Sequence, residues 1–342
     1  MTKIPHILII YTGGTIGMMK DYETNVLRAF NFEHIYKSIP ELNQLDCTLE
    51  SISFKTPIDS SNMNPDYWEE IANTIQSHYE KADGFVVLHG SDTMAYTASA
   101  ISFMFENLSK PVIFTGSQLP IGHLRTDAKE NMITAIEIAA AQKNDQPMVS
   151  EVCIYFEYKL FRANRTTKTS AEQFEAFTSP NYPDLAESGV HLKFNQNALL
   201  KQEKSKKLIY RKIQKHNIVL LKLFPGVTEE VVRHAFNTPN LEGVIIEAYG
   251  SGNAPTEKWF INLLKENLDK GLPIIDVTQC VAGSVMLGKY ETSIQLLKMG
   301  LVNGYDITTE SAITKLLYLL STDDTNGNLK EIFETSIRGE IS

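Results

Sequence analysis

The chain has few cysteines: three among 342 residues, far apart at Cys47, Cys153 and Cys280. No two of them have the C-x-x-C spacing, so the sequence indicates neither a disulfide framework nor a cysteine-rich zinc site. Eight histidines also lack a convincing ligand spacing, and no metal site is predicted. A reducing compartment, the cytoplasm, fits this composition.

Long apolar runs are also missing. The run that ends at Ile10 is only about four residues long before Tyr-Thr-Gly-Gly interrupts it, which is too short for a secretory signal. No stretch approaches the roughly 18 apolar residues that a membrane span needs. We therefore expect a soluble, cytoplasmic protein without a membrane partner.

Positive charge is scarce, with 32 Lys and Arg against 41 Asp and Glu and a net charge of −9. Proteins that bind nucleic acids draw much of their affinity from Lys and Arg that neutralise phosphates. The charge balance therefore argues against a nucleic-acid partner and favours a small-molecule one.

Short runs of β-branched and aromatic residues alternate with longer helix-like segments, a pattern typical of βαβ units. The clearest predicted strands are Ile7–Tyr11, Phe85–His89, Val112–Thr115, Val152–Phe156, Ile218–Leu223, Val244–Ala248 and Pro273–Val277. Helices are predicted from Asn64, where a cap residue precedes Pro65, and over Thr93–Asn107 and Thr126–Ala141. The predicted fold is α/β, with a larger N-terminal domain, built on a mostly parallel, flavodoxin-like sheet flanked by helices, and a smaller C-terminal α/β domain.

A polar, lysine-rich stretch with weak periodicity separates these domains. We predict an N-terminal catalytic domain over residues 1–190, a linker over 191–215 and the smaller domain over 216–342, with a helical tail from about Thr308.

Small residues and polar side chains follow the predicted strands. The turns read TGGTIG, GSDTM, TGSQLP, YGSGNAP and TQC in chain order. Because the carboxyl ends of parallel strands share one edge of a sheet, the turns of one domain should converge on a common crevice. The sequence therefore predicts a site at that edge.

The first of these turns has two possible chemistries. Phosphate binding is weakly supported, because Gly13, Gly14 and Gly17 lack the G-x-G-x-x-G spacing and no P-loop lysine follows. The alternative is a hydroxyl nucleophile, for which Thr12 and Thr15 are the candidates.

A threonine nucleophile needs a group that accepts its proton. Ser91 and Asp92 in HGSDTM and Lys168 in NRTTKT would supply a hydroxyl, a carboxylate and an amine, a variation on triad logic. Taken one at a time, Lys168 also fits a solvated lysine and Asp92 a helix cap.

Together these motifs resemble those of the bacterial-type L-asparaginases, and LHGSDTMAYTASAISFMFENLSKPVIFTGSQLP, NRTTK, YGSGNAP and TQC are similar to the cytoplasmic type I branch. The similarity runs over essentially the whole chain. It implies hydrolysis of the side-chain amide of asparagine to aspartate and ammonia, without a metal or other cofactor.

The resemblance also implies roles for individual residues. Thr15 would be the nucleophile that forms an acyl-enzyme, and Ser91, Asp92 and Lys168 would form a supporting triad. The substrate-binding set would be Asp59, Ser60, Ser61, Ser91, Asp92 and Ser117, where Asp59, Ser60 and Asp92 hold the substrate's α-amino and α-carboxylate groups. Backbone N–H groups near Ser91 and Ser117 would stabilise the oxyanion.

Three positions depart from the family pattern. Ser91 replaces a threonine and lacks the β-methyl that restricts χ1. Tyr22 is the candidate for a loop tyrosine that activates the nucleophile, but its offset differs by about three residues and Asn25 stands at the aligned position. Glu247 replaces an arginine near Cys280 at an effector site for asparagine, and because a carboxylate repels the effector's carboxylate, we expect weakened or absent activation.

Other functions share these motifs. The alternatives are a glutaminase-asparaginase, the ammonia-producing subunit of a tRNA-dependent amidotransferase, or a non-catalytic amino-acid sensor. The amidotransferase component should carry a further N-terminal segment and basic surfaces, which the position of Thr15 and the net charge disfavour. The resemblance further implies a homo-oligomer, a dimer or tetramer, in which Asn253 completes a neighbour's site.

Overall fold

The computed structural model describes residues 3–20, 27–29, 39–201, 206–289, 291–322 and 328–342. The chain divides into two compact units, Met1–Arg211 and Lys212–Ser342. Within the described ranges, no helix is both long and apolar enough to cross a membrane.

An eight-stranded sheet forms the centre of the first unit. Its strands in chain order are β1 (His6–Gly13), β2 (Thr48–Ile58), β3 (Gly84–Leu88), β4 (Val112–Thr115), β5 (Val152–Phe156), β6 (Lys159–Arg162), β7 (Ala186–Ser188) and β8 (Leu192–Phe194). They lie in the order β8-β7-β6-β5-β4-β3-β1-β2. The five strands from β5 to β2 in that order are parallel, and β6, β7 and β8 are antiparallel. The sheet is therefore mostly parallel, as predicted.

Three helices, α1 (Pro65–His78), α2 (Met94–Met104) and α3 (Ala128–Ala140), connect these strands. The start of α1 is as the sequence predicts, because the Asn64 side chain accepts a hydrogen bond from the Asp66 N–H and Pro65 is the first helical residue. Its buried face includes Trp68, Ile71 and Ile75.

The central strands β3, β4 and β5 are buried along their whole length, which is why they appear in the sequence as unbroken apolar runs. In the described part of the first unit, four short ladders accompany the sheet: Met18–Lys20 with Leu27–Ala29, Phe105–Glu106 with Ile209–Tyr210, Gln142–Lys143 with Gln146–Pro147, and Thr167–Lys168 with Phe177–Thr178.

The stretch predicted as a linker contains paired strands and needs correction. Leu192–Phe194 is the edge strand β8, and Ile209–Tyr210 pairs with Phe105–Glu106. Leu192 and Phe194 pack against the core of the first unit. Only these two alternating residues of the strand are apolar, and the polar residues around them mask the strand pattern in the sequence.

The second unit has its own parallel sheet of four strands in sequential order: β9 (Ile218–Lys222), β10 (Gly243–Ala248), β11 (Ile274–Thr278) and β12 (Val302–Asn303). Its helices are α4 (Glu229–Phe236), α5 (Lys258–Leu268), α6 (Glu291–Met299), α7 (Thr309–Leu320) and α8 (Leu329–Phe333). The predicted helical tail is present as α7, which Thr308 caps by accepting from the Ser311 N–H.

Candidate active site

Two glycines, Gly14 after β1 and Gly90 after β3, lie where three turns of the first unit come together. Gly14 has a φ of 85°, and a Cβ built on it would lie 2.5 Å from the Gly90 nitrogen. A Cβ on Gly90 would in turn lie 2.5 Å from the Ser60 hydroxyl oxygen. A side chain at Gly14 would collide with the Gly90 backbone, and a side chain at Gly90 would collide with the Ser60 side chain, so glycine suits both positions. The turns after β1, β2 and β3 meet at one point. The sequence predicts that the turns after β1 and β3 converge, but it does not predict β2 or the turn that follows it.

The two candidate nucleophiles have different surroundings. Thr12 is buried within β1, and its hydroxyl donates a 2.9 Å hydrogen bond to the Leu88 carbonyl. Thr15 comes directly after Gly14, begins a short 3-10 helix and is half-buried. The structure therefore does not favour Thr12 as a nucleophile, since its hydroxyl is already bound to backbone inside the sheet.

Lys168 lies between the serine and the aspartate of the HGSDTM turn. Its Nζ donates to Ser91 Oγ at 2.9 Å and to Asp92 Oδ1 at 2.6 Å. The lysine side chain is 16% exposed and the aspartate side chain 68% exposed. The hydroxyl, amine and carboxylate thus form one connected set, with the amine shielded and the carboxylate facing outward.

Asp59 is an exposed carboxylate held by the residue that follows Ser60. Its Oδ1 accepts from both the N–H and the hydroxyl of Ser61, each at 2.9 Å. These two hydrogen bonds lower the pKa of Asp59, because they stabilise its charged form. Asp59 is therefore ionised at neutral pH and able to hold a cation, while the hydroxyl of Ser61 is committed to Asp59.

Ser60 is buried against the turn after β3. Its carbonyl accepts a 2.7 Å hydrogen bond from the Thr93 hydroxyl, which ties it to the HGSDTM turn. Its own hydroxyl oxygen lies against Gly90.

The turn after β4 holds the predicted Ser117 and two residues that sequence patterns did not single out. Ser117 is buried and its hydroxyl donates to the Leu119 carbonyl, so that hydroxyl is not a free ligand. Gln118 accepts a 3.2 Å hydrogen bond from the Ser91 hydroxyl through Oε1. Asp127 accepts from the N–H groups of Gln118 and Leu119 and so fixes the turn. The sequence signal for Gln118 and Asp127 was weak, because one is a polar residue of a turn and the other stands at the start of a helix.

A second layer of polar groups lies behind this turn. Asn131 donates to the Gly116 carbonyl and to Asp127 Oδ2, and it accepts from the Glu157 N–H. Burial, together with Asp127, Glu130 and Glu175, raises the pKa of Glu157 to about 7. Burial likewise raises the pKa of Asp127.

His89 closes β3 next to the glycine at the meeting point. It is buried, Nδ1 lies 2.7 Å from the Gly90 carbonyl, and burial lowers its pKa to about 4. A neutral histidine therefore holds the turn, with Nδ1 as the donor.

In the second unit, Glu247 is already engaged by its neighbours. Its Oε1 accepts from the Thr309 hydroxyl at 2.7 Å, and its Oε2 lies 3.1 Å from Lys222 Nζ. Cys280 is an exposed free thiol. Asn253 pairs through its backbone with Tyr249 in a tight turn.

The candidate loop tyrosine, Tyr22, lies outside the described residues, and so does Asn25. Among the residues that are described, no group of three or more His, Cys, Asp or Glu side chains is placed to hold a metal ion.

Comparison with known proteins identifies the two halves of the chain. Residues 6–200 match the family described as "Asparaginase, N-terminal", and residues 217–333 match "Glutaminase/Asparaginase C-terminal domain". The chain is 40% identical to L-asparaginase 1 of Escherichia coli K12, with 98% of each chain covered.

Two further comparisons extend this similarity. The crystal structure of L-asparaginase I from Vibrio cholerae has a TM-score of 0.90 at 38% identity and covers 99% of each chain. The thermostable L-asparaginase from Thermococcus kodakarensis has a TM-score of 0.86 at 29% identity, over 98% of this chain and 99% of that one.

Proposed function

The chain belongs to the asparaginase family, and from that premise we propose that it hydrolyses L-asparagine to L-aspartate and ammonia through an acyl-enzyme on Thr15. The observation that carries the proposal is the position of Lys168 Nζ, which contacts both Ser91 Oγ and Asp92 Oδ1 beside the Gly14–Gly90 contact. Those contacts bring the Lys168 amine to the Ser91 hydroxyl, on the turn that packs against Gly14, the residue before Thr15.

In the proposed first step, Thr15 Oγ attacks the carbon of the substrate's side-chain amide. The threonine proton passes through the Ser91–Lys168 pair to the leaving nitrogen, the C–N bond breaks, and the nitrogen departs as ammonia. Water then adds to the ester on Thr15, one of its protons passes through the same pair to Thr15 Oγ, the ester C–O bond breaks, and aspartate leaves. Asp92 holds the lysine in place and balances its charge.

The substrate's two α-groups would be held by the turn after β2 and by Asp92. The two hydrogen bonds from Ser61 lower the pKa of Asp59 by stabilising its charged form, and this carboxylate suits an α-ammonium group. Ser60, buried beside Gly90, offers a hydroxyl for the α-carboxylate. Backbone N–H groups of the turns near Ser91 and Ser117 would hold the oxyanion.

The test is release of ammonia from L-asparagine by the purified full chain. Thr15→Val keeps a similar volume and removes the hydroxyl, and we expect turnover to fall by about 1,000-fold or more. Thr12→Val is the matched variant, because it removes the other candidate hydroxyl; we expect it to cost about 1 kcal/mol of stability and less than about tenfold in turnover.

The two outcomes separate the alternatives. Normal turnover in Thr15→Val would rule out the acyl-enzyme on this residue. Asparagine binding without ammonia release by the unmodified chain would instead favour an amino-acid sensor. L-glutamine belongs in the same assay, because discrimination by one methylene is worth only about 1–3 kcal/mol.

We also propose that the enzyme is a cytoplasmic homo-oligomer. β9 is an edge strand of the four-stranded sheet, and it carries the exposed side chain of Leu220, with exposed Phe224 shortly after it. Apolar side chains on an unpaired edge support association with another copy. Sedimentation velocity measures the assembly directly, and a monomer at micromolar concentration would contradict it.

A further inference from the structure

The Ser91 hydroxyl makes two hydrogen bonds, one as acceptor and one as donor. Lys168 Nζ donates to Ser91 Oγ at 2.9 Å, and the same hydroxyl donates its hydrogen to Gln118 Oε1 at 3.2 Å. A hydroxyl has one hydrogen and two lone pairs. With the hydrogen directed at Gln118, a lone pair is left for the lysine.

The orientation of the Gln118 amide follows from its other contacts. Its Nε2 donates to the Gln173 carbonyl at 3.0 Å, so its oxygen end must face Ser91. The Gln118 backbone N–H donates to Asp127 Oδ2 at 2.8 Å. Hydrogen bonds other than the one from Ser91 therefore hold both the backbone N–H and the side-chain amide nitrogen of Gln118.

Serine needs such a partner more than threonine would. The β-methyl of threonine restricts χ1, whereas the serine hydroxyl populates its rotamers more freely. An acceptor at a fixed position favours the serine χ1 rotamer that brings the hydroxyl within hydrogen-bond distance of it.

We propose that Gln118 is a positioning residue that selects the Ser91 rotamer in which the hydroxyl oxygen meets Lys168 Nζ. The inference deepens the proposed function and rests on it, because Ser91 and Lys168 are the proton-transfer pair of that reaction. Gln118 acts through Ser91 and is assigned no contact with the substrate.

The test uses Gln118→Met, which keeps the length of the side chain and removes the acceptor. In the unmodified background we expect kcat to fall about tenfold, with KM changed less than about threefold, as for loss of one hydrogen bond that positions a reacting group. Gln76→Met on the exposed surface of α1 is the matched control, and it should leave both constants unchanged.

The decisive readout is the same substitution in a Ser91→Thr background. If Gln118 acts by restricting χ1, the β-methyl of threonine supplies that restriction, and Gln118→Met should then cost less than about threefold in kcat. An equal loss in the two backgrounds, or no loss in either, overturns the inference while the asparaginase activity of the unmodified chain stands.

A crystal structure of Gln118→Met gives a readout that does not depend on activity. We expect Ser91 Oγ to leave the rotamer that contacts Lys168 or to occupy more than one. A single, unchanged Ser91 rotamer would overturn the inference even if the unmodified chain released no ammonia, a result that would separately refute the proposed function.

Discussion

Lys168 Nζ lies 2.6 Å from Asp92 Oδ1, although the two residues are 76 positions apart in the chain. Lys168 stands on the short ladder with Phe177–Thr178, and Asp92 stands on the turn that leaves β3. Two separate elements of the first unit thus bring the amine to the carboxylate, and the pair exists only in the folded chain.

We expect Lys168→Met to lower kcat by about 1,000-fold and to change KM much less, because the lysine's proposed role is proton transfer and not substrate binding. Steady-state ammonia release measures both constants. Lys159→Met is a matched control, since it breaks another lysine ion pair, with Asp184, in the same unit. It should stay within about twofold of the unmodified enzyme, as expected for a surface pair. A Lys168→Met enzyme with normal kcat and raised KM would assign the lysine to substrate binding instead.

Gly14→Ala should disrupt the meeting point of the three turns. The added Cβ would lie 2.5 Å from the Gly90 nitrogen, and the backbone φ of 85° is one that alanine rarely adopts. We expect at least a 100-fold loss of turnover, roughly the effect of displacing reacting groups by about 1 Å, together with a lower Tm.

Gly189→Ala is the control for that substitution. A Cβ on Gly189 would meet nothing within 4 Å, so activity and Tm should stay unchanged. Near-normal turnover in Gly14→Ala would mean that the turns after β1 and β3 can separate without harm, against the geometry described above.

Sequence patterns predicted the central strands because those strands are buried on both faces and need unbroken apolar residues. β6 was not delimited as a strand separate from β5, because the turn between them uses Glu157 and Tyr158 at φ values of 43° and 70° without the usual Asn or Gly. β8 was hidden inside a polar stretch. Short strands that pair with distant parts of the chain contain too few residues to show a hydrophobic periodicity in the sequence.

The site was predictable in kind and less so in detail. Motifs placed Ser91, Asp92 and Lys168 on turns that should converge, and the structure joins them by hydrogen bonds. The role of Gln118 depends on the Gln173 carbonyl, 55 positions away, and no local pattern reports which way an amide points. The residue roles themselves stay predictions until the variants are measured.

Activation by asparagine should be weak or absent if the family resemblance holds, since Glu247 stands where that resemblance implies an arginine, and its carboxylate is already paired. Lys222 and Thr309 engage its two oxygens, so an incoming carboxylate would meet a negative charge and would have to compete with Glu247 for Lys222. We expect a hyperbolic dependence of rate on asparagine concentration. Titration calorimetry with Thr15→Val, which should bind but not turn over, should find one asparagine per chain. A sigmoidal rate curve or a second bound asparagine would contradict this expectation.

Asp276 in β11 is a buried carboxyl whose two oxygens have no hydrogen-bond partner among the described residues. It lies beneath the YGSGNAP turn, where a Cβ on Gly252 would come within 2.8 Å of its Oδ2. Burial raises the pKa of Asp276 from 3.8 to about 7, because the charged form loses its hydration and gains no partner.

The sign of the resulting pH dependence follows from that shift. The folded state keeps the Asp276 proton up to about pH 7, whereas the unfolded chain loses it near pH 4, so unfolding becomes easier as pH rises between these values. We expect Asp276→Asn to remove roughly 2–3 kcal/mol of the decline in unfolding free energy between pH 5 and pH 8. Urea unfolding at several pH values measures it, with Asp269→Asn on the exposed end of α5 as the control that keeps the original slope. Parallel stability curves for Asp276→Asn and the unmodified chain would mean that Asp276 is ionised in the folded state and has found a partner there.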